Sequence, residues 1–385
     1  MAAAIKLLTV VGARPQIIKA AAISRAIANS FVGAIGETIL HTGQHYDDNM
    51  SEVFFRELGI PGADVQLNAG SGGHGAQTAR MIDGVEAQLL KYRPDVVLLY
   101  GDTNSTLAGA VAAAKLHIPV AHLEAGLRSW NKAMPEEINR ITCDHCSTWL
   151  FCPTETAVKN LEREGIVHHG TAKPNINAPA VHMVGDVMFD NSMHFADLAS
   201  KQSSVLGDLG LTKDGFALAT IHRDHNTDVP EHLNAIFQAL LSVAEKHQLP
   251  LVLPVHPRLR KCMDSVLDPN LRTAVEGSKR MHLIPPVGFL DMIELERNAR
   301  LVFTDSGGVQ KEAFFFNKPC VILRPETEWV ELVEHGHAVL AGADANWIAA
   351  ATDRFLSQGI PASPPLFGDG RAAQRVCEVL VKDLG

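Results

Sequence analysis

Short runs of apolar, often β-branched residues recur along the whole chain, and a longer stretch with helical spacing follows most of them. In the first half the runs are Lys6–Val11, Thr38–Thr42, Val96–Tyr100, Pro119–Glu124, Trp149–Cys152 and Val181–Val184. In the second half they are Phe216–Ile221, Leu251–Val255, His282–Ile284, Leu301–Thr304 and Cys320–Leu323. Ser105–Leu116, Glu155–Glu164, Pro230–His247 and Trp347–Ser357 carry the helical period between them. Continuously apolar strands alternating with helices indicate parallel sheets covered on both faces. The series restarts near Gly215. The expected fold class is therefore α/β, with two Rossmann-like doubly wound domains and a crossover at Gly185–Asp214.

A chain of 385 residues has room for two domains of roughly 150 residues each. Hydrophobic residues make up 46% and charged residues 20%, which excludes a mainly disordered chain. A formal net charge of −9 argues against a general nucleic-acid partner, which needs a basic face. No apolar run reaches the roughly 18 residues of a membrane helix. Lys6 and the short run Leu7–Val11 lack the apolar core and cleavage site of a signal peptide, so a cytoplasmic protein is expected. Cys143 and Cys146 are the one close cysteine pair, and no second pair gives zinc-ligand spacing. Reduced thiols and no metal are the expectation.

Ligands of open parallel sheets bind beyond the carboxyl ends of the strands, and the polar residues of this chain gather there. The first strand ends in Gly12-Ala13-Arg14-Pro15-Gln16, with Lys19 one turn further on. Pro15 suits the first turn of a helix, and the two cations sit near its terminus, where anions bind. The dinucleotide fingerprint G-x-G-x-x-G is absent. Asp102 ends another strand, as a helix cap or as an acid. Glu124 lies in an apolar strand, where a charge is costly unless it is used or paired, with Arg128 as the obvious partner. Glu136 and Glu137 follow Pro135, and two acids suit the first turn of a helix. Asp102, Glu124 and Glu136 are expected to converge on one cleft, where carboxylates raise each other's pKa.

In the second half His222 follows a strand amid Arg223, Asp224 and His225. His256 repeats the arrangement. Asp305-Ser306-Gly307-Gly308 runs from a strand into a helix, and paired glycines let backbone N–H groups approach a phosphate. Glu312 lies one turn into that helix, within reach of sugar hydroxyls. Arg324 and Trp329 add a cation and an aromatic. A diphosphate site is expected there.

Together these motifs resemble the non-hydrolysing UDP-N-acetylglucosamine 2-epimerase family. The resemblance runs from Gly12-Ala13-Arg14-Pro15 through Thr42-Gly43-Gln44-His45, Gly101-Asp102-Thr103, His122-Leu123-Glu124-Ala125-Gly126-Leu127-Arg128 and Pro135-Glu136-Glu137-Ile138-Asn139-Arg140. It continues through His222-Arg223 and Asp305-Ser306-Gly307-Gly308 to Phe367-Gly368-Asp369-Gly370. It implies a GT-B type fold with the active site in the interdomain cleft. The implied domains are an N-terminal one over 1–185, a UDP-binding one over 186–370, and a C-terminal helix over 371–385 that packs back on the first. It also implies a homodimer, a UDP-sugar substrate and no cofactor. The implied reaction interconverts UDP-N-acetylglucosamine and UDP-N-acetylmannosamine by elimination and re-addition of UDP through a glycal.

By position, Asp102, Glu124, Glu136 and His222 match the family's catalytic groups. Arg14, Lys19, Arg140, His256, Ser306, Gly307, Gly308, Glu312 and Arg324 are the expected substrate contacts, with Val287 to Met292 near the uracil. Gln44 and His45 match a regulatory segment of some members. Gln16 stands where Glu is frequent, Asp224-His225-Asn226 where Arg-Glu-Asn is usual, and Trp329 where Arg is usual. Gln16 and Thr327-Glu328-Trp329-Val330-Glu331 resemble a subgroup acting on UDP-2,3-diacetamido-2,3-dideoxyglucuronic acid. That substrate is the alternative reading. A GT-B glycosyltransferase is a more distant one.

Overall fold

The computed structural model describes residues 4–43, 62–168, 170 and 173–385. They divide into two compact units. One comprises the chain up to Asn191 together with Pro365–Gly385, and the other comprises Ser192–Pro364.

The first unit is built on a parallel sheet of seven strands: β1 Ile5–Val11, β2 Ile35–His41, β3 Val65–Gln66, β4 Val96–Tyr100, β5 Val120–Leu123, β6 Trp149–Cys152 and β7 Ala180–Met183. Their order is β3-β2-β1-β4-β5-β6-β7, with Val10 beside Leu99 and Leu99 beside His122. The strands are buried almost throughout, which is why they read as unbroken apolar runs. Leu8, Val10, Val97, Leu99 and Val120 pack on Val85 and Leu89 of the helix His74–Tyr92.

The second unit has six parallel strands: β8 Ala217–Thr220, β9 Leu251–Pro254, β10 Met281–Ile284, β11 Leu301–Thr304, β12 Cys320–Ile322 and β13 Ala338–Leu340. Their order is β10-β9-β8-β11-β12-β13. The helix Pro230–Lys246 buries Leu233, Ile236, Phe237, Leu240 and Val243, a stripe at helical spacing, against this sheet. Each such side chain taken from water contributes about 2 kcal/mol.

In each sheet the order in which successive strands are added reverses at one place, between β1 and β4 and between β8 and β11. Loops leaving strands on the two sides of such a point diverge and leave a crevice. The first crevice is flanked by Gly12–Lys19 and Gly101–Asp102. The second is flanked by His222 and Asp305–Gly308.

The division of the chain differs from the boundaries expected at 185 and 370. Residues 186–191 and 365–370 belong to the first unit. Asp186 N–H donates to the Phe367 carbonyl at 3.0 Å, and the Asn191 amide donates to the Ile18 carbonyl at 2.5 Å. The last helix, Ala372–Leu384, buries Ala373, Val376, Cys377 and Leu380 and packs on the helix Arg14–Ser30. Its first N–H groups, at Ala372 and Ala373, are capped by the Asp190 carboxylate at 3.1 and 2.8 Å. Among the described residues no helix is long and apolar enough to cross a membrane. All six cysteines are free.

Candidate active site

The first turn permits no side chain at Gly12. A Cβ there would lie 2.0 Å from Ser105 Oγ and 2.2 Å from Thr42 Oγ1. Gln16, 1% exposed, closes the same turn. Its oxygen accepts from the N–H groups of Gly12 and Ala13 at 2.9 and 3.2 Å. Its nitrogen donates to the Tyr100 carbonyl at 2.8 Å and Thr106 Oγ1 at 3.0 Å. A glutamate there could not supply that nitrogen donor. Gln16 thus spends its amide pinning the β1 turn to the β4 turn. Arg14 is exposed at the first position of the helix, and Lys19 is partly buried one turn on.

Gly101 has φ +59° and donates its N–H to the Leu123 carbonyl at 3.0 Å. Glu124 is not inside β5 but one residue past it, at φ +63°, a conformation that favours glycine. That turn carries its carboxylate to Lys19, with which it forms an ion pair, and not to Arg128. Arg128 is engaged by Asp144 at 2.8 Å and Glu164 at 2.6 Å.

Asp102 is not a helix cap. Thr103 occupies that position, its hydroxyl accepting from Thr106 N–H at 3.4 Å. The Asp102 carboxylate instead pairs with Arg140, whose guanidinium also holds Glu137. Glu137, 1% exposed, accepts from the N–H groups of Ser129 and Trp130, each at 3.0 Å. Burial pushes its pKa up, but the Ser129 N–H and Arg140 outweigh this and hold it below the usual range. Asn139 donates to the Asp102 carbonyl at 2.9 Å. Glu136 is half-buried, and its side chain has no hydrogen-bond or ion-pair partner among the described residues. Of the pair after Pro135, Glu137 is the inward, structural acid and Glu136 the available one. Gln44 and His45 lie outside the described residues.

In the second unit the pivot is Asp305, which is fully buried. Its carboxylate accepts from the N–H groups of His222 at 3.0 Å and Arg223 at 3.0 Å, and from the Asn226 amide at 3.0 Å. The turn after β8 is thereby tied to the end of β11. The His222 and His256 ring centroids are 6.3 Å apart. The His222 pKa is lowered, by desolvation first and then by His256, with Asp305 opposing.

Ser306 is the N-cap residue of the helix Gly307–Phe315, and its hydroxyl makes no cap hydrogen bond. Around this terminus lie Glu312, and Arg324 bonded to Glu328 at 3.1 Å. The Lys311 ammonium stands 4.2 Å from the centre of the Trp329 ring. Buried Glu296 has its pKa pushed well up, by burial first and Glu312 second. Val287 and Met292 flank the start of the helix Phe289–Asn298.

The sequence reading missed Gln16, Glu137, Asn139, His122, Asp144 and Asp305 as the groups that set these turns. Glu137 had a local signal in its i,i+3 spacing with Arg140, and Gln16 in its place three residues after Ala13 at the start of the helix. The others act through partners distant in sequence, as does the Gln16 amide nitrogen toward Tyr100 and Thr106. Among the described residues no group of three His, Cys, Asp or Glu side chains is arranged to hold a metal.

Each unit therefore gathers a different set of groups: carboxylates paired with cations in the first, and a glycine-rich helix terminus with Glu312, Glu328 and Trp329 around it in the second. Proteins with two such Rossmann-like units of the GT-B type act on nucleotide sugars in several ways, so the fold defines only the class. The sequence profile of the family described as UDP-N-acetylglucosamine 2-epimerase matches residues 32–381, and the chain belongs to that family. It is 48% identical to the UDP-2,3-diacetamido-2,3-dideoxy-D-glucuronate 2-epimerase of Pseudomonas aeruginosa, over 98% of this chain and 99% of the relative. It is similar to the crystal structure of Methanocaldococcus jannaschii UDP-GlcNAc 2-epimerase in complex with UDP-GlcNAc and UDP. That match has TM-score 0.84 and 40% identity, covering 98% of this chain and 99% of the other. The Neisseria meningitidis UDP-GlcNAc 2-epimerase bound to UDP-GlcNAc matches with TM-score 0.84 and 28% identity, over 98% of this chain and 100% of the other.

Proposed function

We propose that the chain is a non-hydrolysing UDP-sugar 2-epimerase that interconverts UDP-N-acetylglucosamine and UDP-N-acetylmannosamine. The observation that carries this is the pairing of two carboxylates with two cations around one turn: Glu124 with Lys19 and Asp102 with Arg140, on either side of Gly101. The C2 proton of the sugar is not acidic, so direct removal would leave an unstabilised carbanion. Elimination avoids this. A carboxylate takes the C2 proton while the C1–oxygen bond to UDP breaks, and the electron pair of the C–H bond becomes the double bond of a glycal. UDP then adds back at C1 as a proton is delivered to the other face of C2. Asp102, Glu124 and Glu136 are the groups for these transfers. The helix terminus at Ser306–Gly308 suits the diphosphate, and N–H groups there stabilise the leaving anion. His222 belongs with that leaving group. The family resemblance supports a homodimer acting in the cytoplasm, which sedimentation and fractionation test.

A second reading keeps the chemistry and changes the sugar to the 2,3-diacetamido uronate. The observation in its favour is the Lys311–Trp329 contact. An arginine at 329 would set a second cation against Lys311, whereas the indole offers its negative face to that ammonium. The 48% identity to the Pseudomonas aeruginosa relative points the same way.

The test is proton NMR of the enzyme in D2O with each substrate. Deuterium entering C2 with accumulation of the manno product establishes the reaction and names the sugar. Free sugar with UDP would show hydrolysis instead, and exchange with neither would overturn the reading.

A further inference from the structure

His122 lies in β5 between Ala121 and Leu123, and no part of it is exposed. Both of its ring nitrogens face acceptors. Nδ1 is 2.7 Å from Asp144 Oδ1, and Nε2 is 2.7 Å from the Gly101 carbonyl oxygen. A carbonyl has no proton to give, and neither has an ionised carboxylate. Both ring nitrogens therefore donate, and the ring is an imidazolium.

A buried cation persists only where it is compensated. Here Asp144 also takes the Gly126 N–H at 3.1 Å and Arg128 Nη1 at 2.8 Å on its other oxygen. Arg128 completes its fork on Glu164 at 2.7 and 2.6 Å. Two cations face two carboxylates, so the network is neutral as a whole. Burial favours loss of the His122 proton, but the Cys143 thiol and the Asp144 carboxylate outweigh it and hold the pKa well above the ordinary histidine range.

What this network touches gives it a role. The Gly101 carbonyl belongs to the peptide that leads into Asp102. The Gly126 N–H closes the turn that begins at Glu124. The second turn holds Glu124 at φ +63°, which a residue other than glycine keeps only when its surroundings fix it, while Gly101, at +59°, has a glycine's freedom and takes its fixed shape from its hydrogen bonds. We infer that His122, braced by Asp144, is a positioning residue that holds the Gly101–Asp102 and Glu124–Gly126 turns so that the Asp102 and Glu124 carboxylates keep the geometry for proton transfer at C2. This rests on the epimerase reading. His122 itself is sealed from any substrate.

The experiment uses the full-length enzyme. His122→Gln supplies one donor nitrogen, with an accepting oxygen beside it, where the imidazolium donates from two nitrogens. C2 exchange into D2O is followed with whichever UDP-sugar the wild type turns over, alongside UDP affinity by calorimetry and thermal unfolding. The expected result is a fall in kcat of about 100-fold, the scale of an ångström-sized misplacement, with KM and UDP affinity within about threefold of wild type. In the wild type, 15N NMR of the ring at pH 8 is expected to show protons on both nitrogens.

Asp144→Asn covers the case in which His122→Gln does not fold. Its amide donates to Nδ1 and leaves a neutral ring still bonded to Gly101, so a loss in kcat of about 10-fold with a singly protonated ring is expected. The inference is overturned if kcat is undiminished in the folded variants, or if the wild-type ring carries one proton. A wild type that exchanges no C2 proton would instead remove the epimerase reading, and the positioning role with it.

Discussion

Lys19 and Glu124, which are distant in sequence, meet as an ion pair against the α-carbon of Gly101. Three strand ends supply one residue each: β1 through its helix, β4 and β5. The pair sits at the place where the sheet order reverses, so it occupies the crevice that the topology creates.

Gly101→Ala tests how tightly that corner is built. The added methyl would sit 3.2 Å from Glu124 Oε2 and 3.3 Å from Lys19 Nζ, in a backbone at φ +59°. We expect a stability loss of about 1 kcal/mol from the backbone conformation. Turnover is expected to fall about 100-fold as the carboxylate is displaced. Urea unfolding and the C2 exchange assay measure the two separately, and full activity would mean that this corner is not where the chemistry occurs.

Glu136 and Glu137 adjoin in sequence but are expected to respond differently to the same change. Glu137→Gln strips a buried carboxylate from Arg140 and two backbone donors, and a loss of about 3 kcal/mol follows. Glu136→Gln removes a partly exposed group that has no side-chain partner among the described residues, so stability stays within about 0.5 kcal/mol. Turnover is nevertheless expected to drop at least about 100-fold, the usual worth of an acid–base group. Asp102→Asn is expected to resemble Glu136→Gln in losing turnover while UDP affinity stays nearly intact. Undiminished turnover in both Asp102→Asn and Glu136→Gln would sink the assignment.

Gly308→Ala separates ligand from fold. The nearest atoms to an added Cβ are Ser306 Oγ at 3.7 Å and Glu312 Oε2 at 4.0 Å, so the chain itself has space for it. Thermal stability is expected to stay the same, while UDP affinity falls by about 10-fold or more, a change of about 1.4 kcal/mol. Calorimetry with UDP decides, and unchanged affinity would place the diphosphate away from this helix terminus.

Asp190 gives the first unit a pH dependence. Burial leads in raising its pKa to about 6 from the usual aspartate value of 3.8, with Asp186 adding to it and the Ala372 and Ala373 N–H groups opposing. The folded state thus binds the proton more tightly than the unfolded one. The associated stability is fully present below pH 4 and is lost as pH rises through 6. Between pH 4 and 7.5 the wild type is expected to lose about 2 kcal/mol relative to Asp190→Asn. Parallel unfolding curves at the two pH values would contradict this.

Much of the architecture is visible as local pattern. Apolar runs of strand length, helical stripes such as Leu233, Ile236 and Leu240, and turn residues such as Gly12 and Pro15 lie where the elements begin and end. The two-residue β3 and the edge strand β13 escape notice because a strand so short carries no period. The glycine-rich terminus at Ser306–Gly308 is equally local, because its chemistry resides in consecutive backbone N–H groups.

The partners of the charged groups are another matter. Arg128 stands four residues from Glu124 and looks like its counter-ion, yet it bonds to Asp144 and Glu164. His122 reads as one polar residue in an apolar strand, and Gln16 as a substitution near a ligand, but both are pins between turns. Thus the sequence by itself determined the class of fold, the strand ends where chemistry collects, and the family. The tertiary structure alone decided which carboxylate meets which cation. The physical reason is one of range: propensity and periodicity act over a turn of helix or a strand, whereas ion pairing depends on which strands lie side by side and how each turn aims its side chain.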